Sequence, residues 1–405
     1  QIGQNGRRGA LMISIDCTHP DLEKFITVKS DLNKVTSANI SVRVTDRFMV
    51  AVKNDEDWEL YYKRNETGEE IKKTVKARDI FDLLCRNNWD YAEPGILYWD
   101  RITNWNLVSN DKDFEYAGVN PCAEEPLPAG GSCLLGAINL AAFIRKGKFD
   151  WDDFKRTVNI AVRALNDVLD EGLERHPLAE QRKTVRDWRQ IGLGIMGLAD
   201  MLIKLGIEYG SPDSIVLCDS IGYSMARNAI VASADVARDK IYYEKWDVYK
   251  VTASPFFTEH IKEDDVEAHL SIDMNGMRNS QLLTIAPTGS ISTMIGVSGG
   301  IEPIFANYYE RTTKSLHGHD EVYKVYTPIV KEYMDAHGIK DELGLPSYFV
   351  TSATIPIKRR IDMQSVWQKH IDASISSTVN LPNEATVDDV KDLYMYAWEK
   401  HLKGI

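Results

Sequence analysis

The chain has 405 residues, 43% apolar and 27% charged, with a net charge of −12, the balance of an ordinary globular protein. No apolar run reaches the ~18 residues of a membrane span, and no charged-then-apolar leader opens the chain. The acidic balance excludes a nucleic-acid-coating protein but leaves nucleotides open, since a few amides and hydroxyls hold them. Five sparse cysteines, Cys17, Cys85, Cys122, Cys133 and Cys218, form no C-x-x-C pair, which fits a reducing cytoplasm better than a disulfide scaffold or a zinc site.

In chain order, residues 1–10 read as a Gly-rich basic turn and residues 10–16 as a strand. His19-Pro20 opens a helix with acidic residues in its first turn, and the polar stretch 29–39 reads as a loop. Residues 40–45 read as a strand, 65–73 as a hairpin tip and 77–92 as a helix. Helices are predicted over 139–143, 151–172, 192–206 and 222–246 from apolar spacing and flanking glycines. Residues 282–286 (LLTIA) form a buried strand that runs into PTGSIS, and a second Gly-rich turn comes at 296–300. Helices over 321–336, 363–377 and 387–401, with a strand over 348–355, complete an α/β pattern with a parallel component. Without repeats, low-complexity tracts or a clear linker, one large domain is the simplest organisation.

Three motifs have plain explanations. Gly192-x-Gly194-x-x-Gly197 matches a dinucleotide-binding pattern, but TVRDWRQI before it is too polar for the strand that pattern needs. Small residues permitting close packing explain it better. His317-Gly318-His319-Asp320 reads as a solvated turn, with no metal expected. Cys17, Cys85 and Cys218 sit in apolar surroundings as core residues. Pro287, Thr288, Gly289, Ser290 and Ile291, at a strand end entering a helix, offer amides and hydroxyls that suit a phosphate or a plain N-cap.

The stretch NPCAEEPLPAGGSCLLGAINLAAFI is harder to explain as structure alone. Asn120, Pro121, Cys122, Ala123 and Glu124 put an amide, a thiol and a carboxylate on one Pro-stiffened loop, with Cys133 eleven positions after Cys122. If the loop is extended, Asn120, Cys122 and Glu124 face one side. Glu124 supplies a general base or acid. No nearby His can make a thiolate, and an anionic Glu raises the Cys pKa. The set therefore favours sulfur working as S–H or S•.

With these residues in view, the sequence resembles the catalytic large subunit of ribonucleotide reductase, over nearly the whole chain. The resemblance rests on NPCAE with CLLGAINL, on IGLGIMGLADMLIKLGI, on APTGSIS with GVSGGIEP, and on QKHIDASISSTVNLPNEAT. It implies a ten-stranded α/β barrel with a central finger loop, of which residues 1–405 are part, as a single catalytic domain. It implies Cys122 as a transient thiyl radical, Glu124 as base on the ribose 3′ hydroxyl, and Asn120 bonded to the substrate hydroxyls. Cys133 would be one of two reducing thiols, its partner expected upstream of residue 1 and a re-reducing cysteine pair beyond Ile405. Pro121, Ala123 and residues 287–291 would bind substrate. Lys29, Ser30, Asp31, Leu32, Asn33, Lys34, Val35, Thr36 and Ser37 would form the loop that relays a bound effector to substrate choice.

The implied partners are a ribonucleoside di- or triphosphate, dNTP and ATP effectors, a thioredoxin-like reductant and a second copy of the chain in a homodimer. Glu124 argues against the formate-using glycyl-radical branch. The short Cys-to-Cys spacing resembles the class II branch, which uses adenosylcobalamin. The absence of D-x-H-x-x-G implies that no protein His replaces the cofactor's base. The alternatives are a class I large subunit with no cofactor of its own, served by a metal-containing radical subunit, a non-catalytic nucleotide-binding relative, and another barrel enzyme with a cysteine radical.

Overall fold

A computed structural model of the chain describes residues 3–4, 7–132, 134–314 and 320–405. Short apolar segments pair in parallel, and amphipathic helices cover them. Strand β1 (Met12–Asp16) pairs in parallel with β2 (Asn39–Val44), Met12 opposite Asn39. After a helix over Asp46–Asn54 and a hairpin of Asp57–Lys63 with Glu70–Lys76, helix α1 (Ala77–Tyr91) leads to β3 (Gly95–Tyr98), which adds to β2 in parallel, Ser41 opposite Gly95. Ile80, Phe81, Leu84 and Cys85 of α1 close one core over this sheet.

The second sheet starts at β4 (Leu134–Asn139). Helix α2 (Trp151–Leu173) has apolar residues at Phe154, Val158, Val162, Leu165, Leu169 and Leu173, all buried on one face, as a 3.6-residue period requires. Its start is fixed by Asp150, whose carboxylate accepts the Asp153 N–H, with Asp152 and Asp153 in the first turn. Strand β5 (Ile191–Met196) pairs in parallel with β4, Leu134 opposite Ile191. Helix α3 (Leu198–Leu205) starts after Gly197, and α4 (Pro212–Lys240), capped by Ser211, packs on α2. The sheet continues through single parallel bridges, Leu193 to Leu283 and Ile285 to Ile375.

Helix α5 (Gly289–Ile295) leaves the end of the 283–285 segment. Helices α6 (Ile357–Gln368) and α7 (Val387–Glu399) precede the last segment, where Gly404 bridges antiparallel to Leu97 of β3. The two sheets meet at a common cavity, lined by Met12, Ile40 and Ile96 from the first and Ile375 from the second. Parallel sheet pieces, helical cover and α/β content are thus present, and the described strands do not close into a barrel. Among the described residues no helix is long and apolar enough to cross a membrane.

Several predicted elements change character. Residues 191–196 are a strand in which all six residues are buried, not the start of a helix. A strand covered on both faces loses the alternation that marks strands, so its period cannot be told from a helix. Of residues 139–143, Asn139 ends strand β4 and Leu140–Phe143 form one 3-10 turn. Residues 320–326 pair with Tyr308–Lys314 as a hairpin, and the helix there spans only Pro328–His337. The predicted 363–377 helix stops at Gln368, beyond which the chain runs extended beside Ile285. The predicted strand over 348–355 is a series of turns. Cys17, Cys85 and Cys218 are buried as expected. His317 and His319 lie outside the described residues.

Candidate active site

The stretch around Cys122 is the tip of a short hairpin. Gly118–Val119 pairs antiparallel with Pro126–Leu127. Asn120 N–H donates to the Glu125 carbonyl at 3.1 Å, and Ala123 N–H to the Asn120 carbonyl at 2.9 Å. The Asn120 side-chain oxygen accepts the Glu125 N–H at 3.0 Å. Ala123 takes the left-handed conformation, φ 65°, which reverses the chain sharply. The tip is therefore a turn rather than an extended run, and its side chains do not all face one way. Cys122 is exposed, and Glu124 is only 2% exposed.

This arrangement sets the electrostatics. Burial pushes the Glu124 carboxyl up, against a lowering hydrogen bond from the Asn120 side chain. Its Oε2 is buried and meets no hydrogen-bond partner among the described residues, a costly state for a carboxylate oxygen unless something else meets it. Burial, and then the neighbouring Glu124, hold the Cys122 thiol above its ordinary value. The thiol stays protonated, which suits hydrogen-atom chemistry and not thiolate attack. A cavity of about 180 Å³ opens beside it, lined by Pro121, Cys122 and Ala123 together with Asn39, Ser41, Glu93 and Ser377.

The polar loop 29–37 borders the same place. It begins as a 3-10 turn over Val28–Ser30, and Ser30 to Lys34 are exposed. Lys29 donates to the Ala38 carbonyl at 2.6 Å and forms an ion pair with Glu93. Asn39, where the loop enters β2, donates its side-chain N–H to the Pro121 carbonyl at 2.9 Å. Loop and thiol hairpin are thereby joined by a direct contact.

Residues 287–291 lie at a second opening. Thr288 is left-handed, φ 52°, and its Oγ1 accepts the Gly300 N–H at 2.8 Å. A Cβ on Gly299 would come within 2.7 Å of the Pro287 carbonyl. The two Gly-rich turns of the sequence are thus one packed unit. Helix α5 starts here with exposed Gly289, Ser290 and Ile291, whose N–H groups have no intrahelical acceptor. Gly289 lines a cleft of about 560 Å³ with Ser292, Gly299, Glu302, Thr378 and Asn380.

Residues 375–380 bridge the two openings, with Ile375 and Ser377 at the thiol cavity and Thr378 and Asn380 at the cleft. Arg360, only 5% exposed, braces them, donating to Ser377 Oγ at 2.9 Å and to Glu302 at 2.6 Å, while Glu302 accepts the Thr378 N–H at 3.0 Å. The structure thus brings together Asn120 to Glu124, the stem of loop 29–37 and, through residues 375–380, the 287–291 turn. Cys133 lies outside the described residues. Sequence reasoning does not single out Asn39, Ser377 or Arg360. Only the position of Ser377 in ISSTVN, a segment already set apart by the resemblance, could have marked it.

Comparison with known proteins points the same way. The family profile "Ribonucleotide reductase, barrel domain" matches residues 1–405. A Mycobacterium tuberculosis protein named vitamin B12-dependent ribonucleoside-diphosphate reductase is 34% identical over 98% of this chain and 56% of its own length. A Thermoplasma acidophilum protein of the same name is 35% identical over 100% of this chain and 51% of its own. A Chlamydia pneumoniae ribonucleoside-diphosphate reductase subunit alpha is 27% identical over 99% of this chain and 44% of its own. The chain spans about half the length of these relatives. It belongs to the ribonucleotide reductase barrel-domain family.

Proposed function

We propose that the protein containing this chain reduces ribonucleotides to 2′-deoxyribonucleotides by radical chemistry centred on Cys122. The observation that carries this reading is the pairing of an exposed thiol with a buried carboxyl that has one oxygen unpartnered among the described residues, on one hairpin tip. In this reading the Cys122 S–H gives up its hydrogen atom, and the resulting thiyl takes hydrogen from the ribose 3′ carbon. Glu124 Oε2 accepts the 3′ hydroxyl proton, and Asn120 holds the substrate hydroxyls. Loss of the 2′ hydroxyl as water takes two electrons from Cys133 and a second thiol, which become a disulfide. Pro121 and Ala123 border the sugar. Residues 287–291 hold the phosphates of a ribonucleoside di- or triphosphate on the first-turn amides of α5.

The two parallel sheets meeting at the thiol cavity support a ten-stranded barrel with the 118–127 hairpin as its finger, and residues 1–405 as part of one catalytic domain. The contacts of Lys29 and Asn39 support loop 29–37 as a route from a dNTP or ATP effector to the substrate. A thioredoxin-like reductant, a homodimer and a cytoplasmic setting complete the reading.

The naming of two relatives as vitamin B12-dependent supports adenosylcobalamin as the radical source. The residues at Cys122 fit it. The thiol is exposed at an open cavity whose lining offers amides, hydroxyls, aliphatic groups and the Glu93 carboxylate, and Pro121, Cys122 and Ala123 would be the residues that face the cofactor. Bound there, the cofactor would supply a carbon radical by homolysis of its carbon–cobalt bond. This chain's residues would present the Cys122 thiol at the cavity mouth. A separate metal-containing radical subunit is the second reading, supported by the relative named as a subunit alpha.

The test uses the full-length parent protein with a labelled ribonucleoside diphosphate, a dithiol and adenosylcobalamin, without a second subunit. Deoxynucleotide should form, and Cys122→Ser should abolish it while nucleotide binding persists. Product only on adding a metal-loaded second subunit would replace the cofactor and keep the site. No product under either condition would overturn the reading.

A further inference from the structure

Gly192 and Gly194 lie in a fully buried strand against Thr284, and Thr284 touches the thiol hairpin. Thr284, fully buried, lies on the extended segment beside β5. Its Oγ1 lies 2.8 Å from the Glu124 carbonyl and 3.0 Å from the Ser374 carbonyl. The Ser374 N–H donates to the same Glu124 carbonyl at 3.0 Å. The Glu124 carbonyl thus accepts one N–H from the 374 segment and lies nearest the single Thr284 hydroxyl proton, which the Ser374 carbonyl can also receive.

The Thr284 side chain is itself held in place. Its backbone is fixed by N–H donation to Leu193 at 3.1 Å. A Cβ on Gly192 would stand 2.5 Å from the Thr284 methyl, and one on Gly194 would stand 2.2 Å from its carbonyl. Only glycine at both positions lets β5 approach this closely. Among the described residues the hydroxyl proton has these two carbonyls as acceptors, the nearer being that of Glu124.

We infer that Thr284 is a positioning residue: its hydroxyl, seated by Gly192 and Gly194, fixes the main chain of Glu124 and so aims that carboxyl at the reacting centre. This rests on the reading of Glu124 as the base. Thr284 touches no substrate in this scheme and acts through Glu124. A threonine that merely filled the sheet would be replaceable by its isostere valine at a cost in stability alone. A hydroxyl that sets the carboxyl's place should instead matter to turnover, because small misplacements of a catalytic group are expensive in rate.

The experiment compares Thr284→Val, Thr284→Ser and wild type in the full-length protein, each checked for an unchanged melting profile. Thr284→Val should lower kcat by about 10- to 100-fold with KM little moved, and Thr284→Ser should restore most of it. A second readout needs no turnover: the pH dependence of Cys122 alkylation by iodoacetamide, measured on its peptide. Releasing Glu124 should move that profile to lower pH in Thr284→Val and not in Thr284→Ser. Wild-type kcat and alkylation in a folded Thr284→Val, or equal loss in Thr284→Ser, would overturn the inference. Should the valine variant fail to fold, Thr284→Ala, which removes the hydroxyl without crowding the carbonyls, is read by the same criteria. If wild type forms no deoxynucleotide, the reductase reading fails, and the alkylation profiles still decide whether Thr284 places Glu124.

Discussion

At the scale of single residues, Glu124 carries a conflict between stability and function. Burial raises its pKa in the folded state, so the fold favours the protonated carboxyl. Below the ordinary glutamate pKa both folded and unfolded chains hold the proton and nothing is lost. As pH rises through the raised folded value, ionising the buried group costs stability. Glu124→Gln should therefore melt with wild type in acid, and roughly 2 °C or more above it near neutral pH. The same variant should lose deoxynucleotide formation, and the acid limb of the wild-type kcat profile should lie above the ordinary glutamate range. Differential scanning calorimetry across pH tests the first half and initial rates the second. Equal melting at neutral pH would remove burial as the source of the shift. The types and order of Asn120, Cys122 and Glu124 are enough to select this loop from the sequence. Their orientations are not, because the left-handed Ala123 turns an extended reading into a tight tip. Contacts such as Asn39 with Pro121, 82 positions away in sequence, depend on the fold.

At the scale of elements, the glycines separate positions that packing dictates from positions that it does not. Gly194 lies in a fully buried strand, where a Cβ would come within 2.2 Å of the Thr284 carbonyl. Backbone cannot yield as a side-chain end can, so Gly194→Ala should destabilise by about 3 kcal/mol or more. Gly172 lies in the last turn of α2, and a Cβ there meets nothing within 4 Å. Gly172→Ala should stabilise by about 0.5–1 kcal/mol, since alanine restricts the unfolded chain and favours the helix. Urea titration of the pair checks both signs at once. The same contrast marks what the sequence reveals. Helix α2 is legible because one face is apolar and the other solvated, and only its end differs from expectation. The buried strand β5 is not, since burial on both faces erases the alternation that would have announced it.

At the scale of the whole molecule, one buried cation ties the two sheets together. Lys403 is fully buried, and its Nζ donates to the carbonyls of Trp105, Asp372 and Ala373 at 2.6, 2.7 and 2.5 Å. Three acceptors match the three protons of an ammonium, whereas a neutral amine would leave one unmet. Asp372, also fully buried, accepts the Leu282 and Leu283 N–H groups at 2.9 and 2.7 Å. Burial pulls the Lys403 pKa down and pushes that of Asp372 up, and their mutual attraction opposes both shifts. The Lys403 carbonyl in turn accepts the Tyr98 N–H of β3 at 2.9 Å. The last segment of the chain therefore grips β3 through its main chain and the 372–373 segment through its side chain. Lys403→Met removes the cation, leaves Asp372 without its counter-charge and strands three carbonyls. The expected loss is about 3–5 kcal/mol, as for breaking a buried ion pair from one side. Adding Asp372→Asn should recover part of that loss, because the stranded charge is then gone while the amide oxygen still accepts one of the two backbone N–H groups. Hydrogen exchange at Tyr98 locates the effect. It should accelerate in Lys403→Met ahead of the amides of α2, which packs on β4 and β5, since the grip that fails is the one on β3. Uniform acceleration throughout would mean that the two sheets unfold as one unit and that Lys403 contributes global stability rather than this junction.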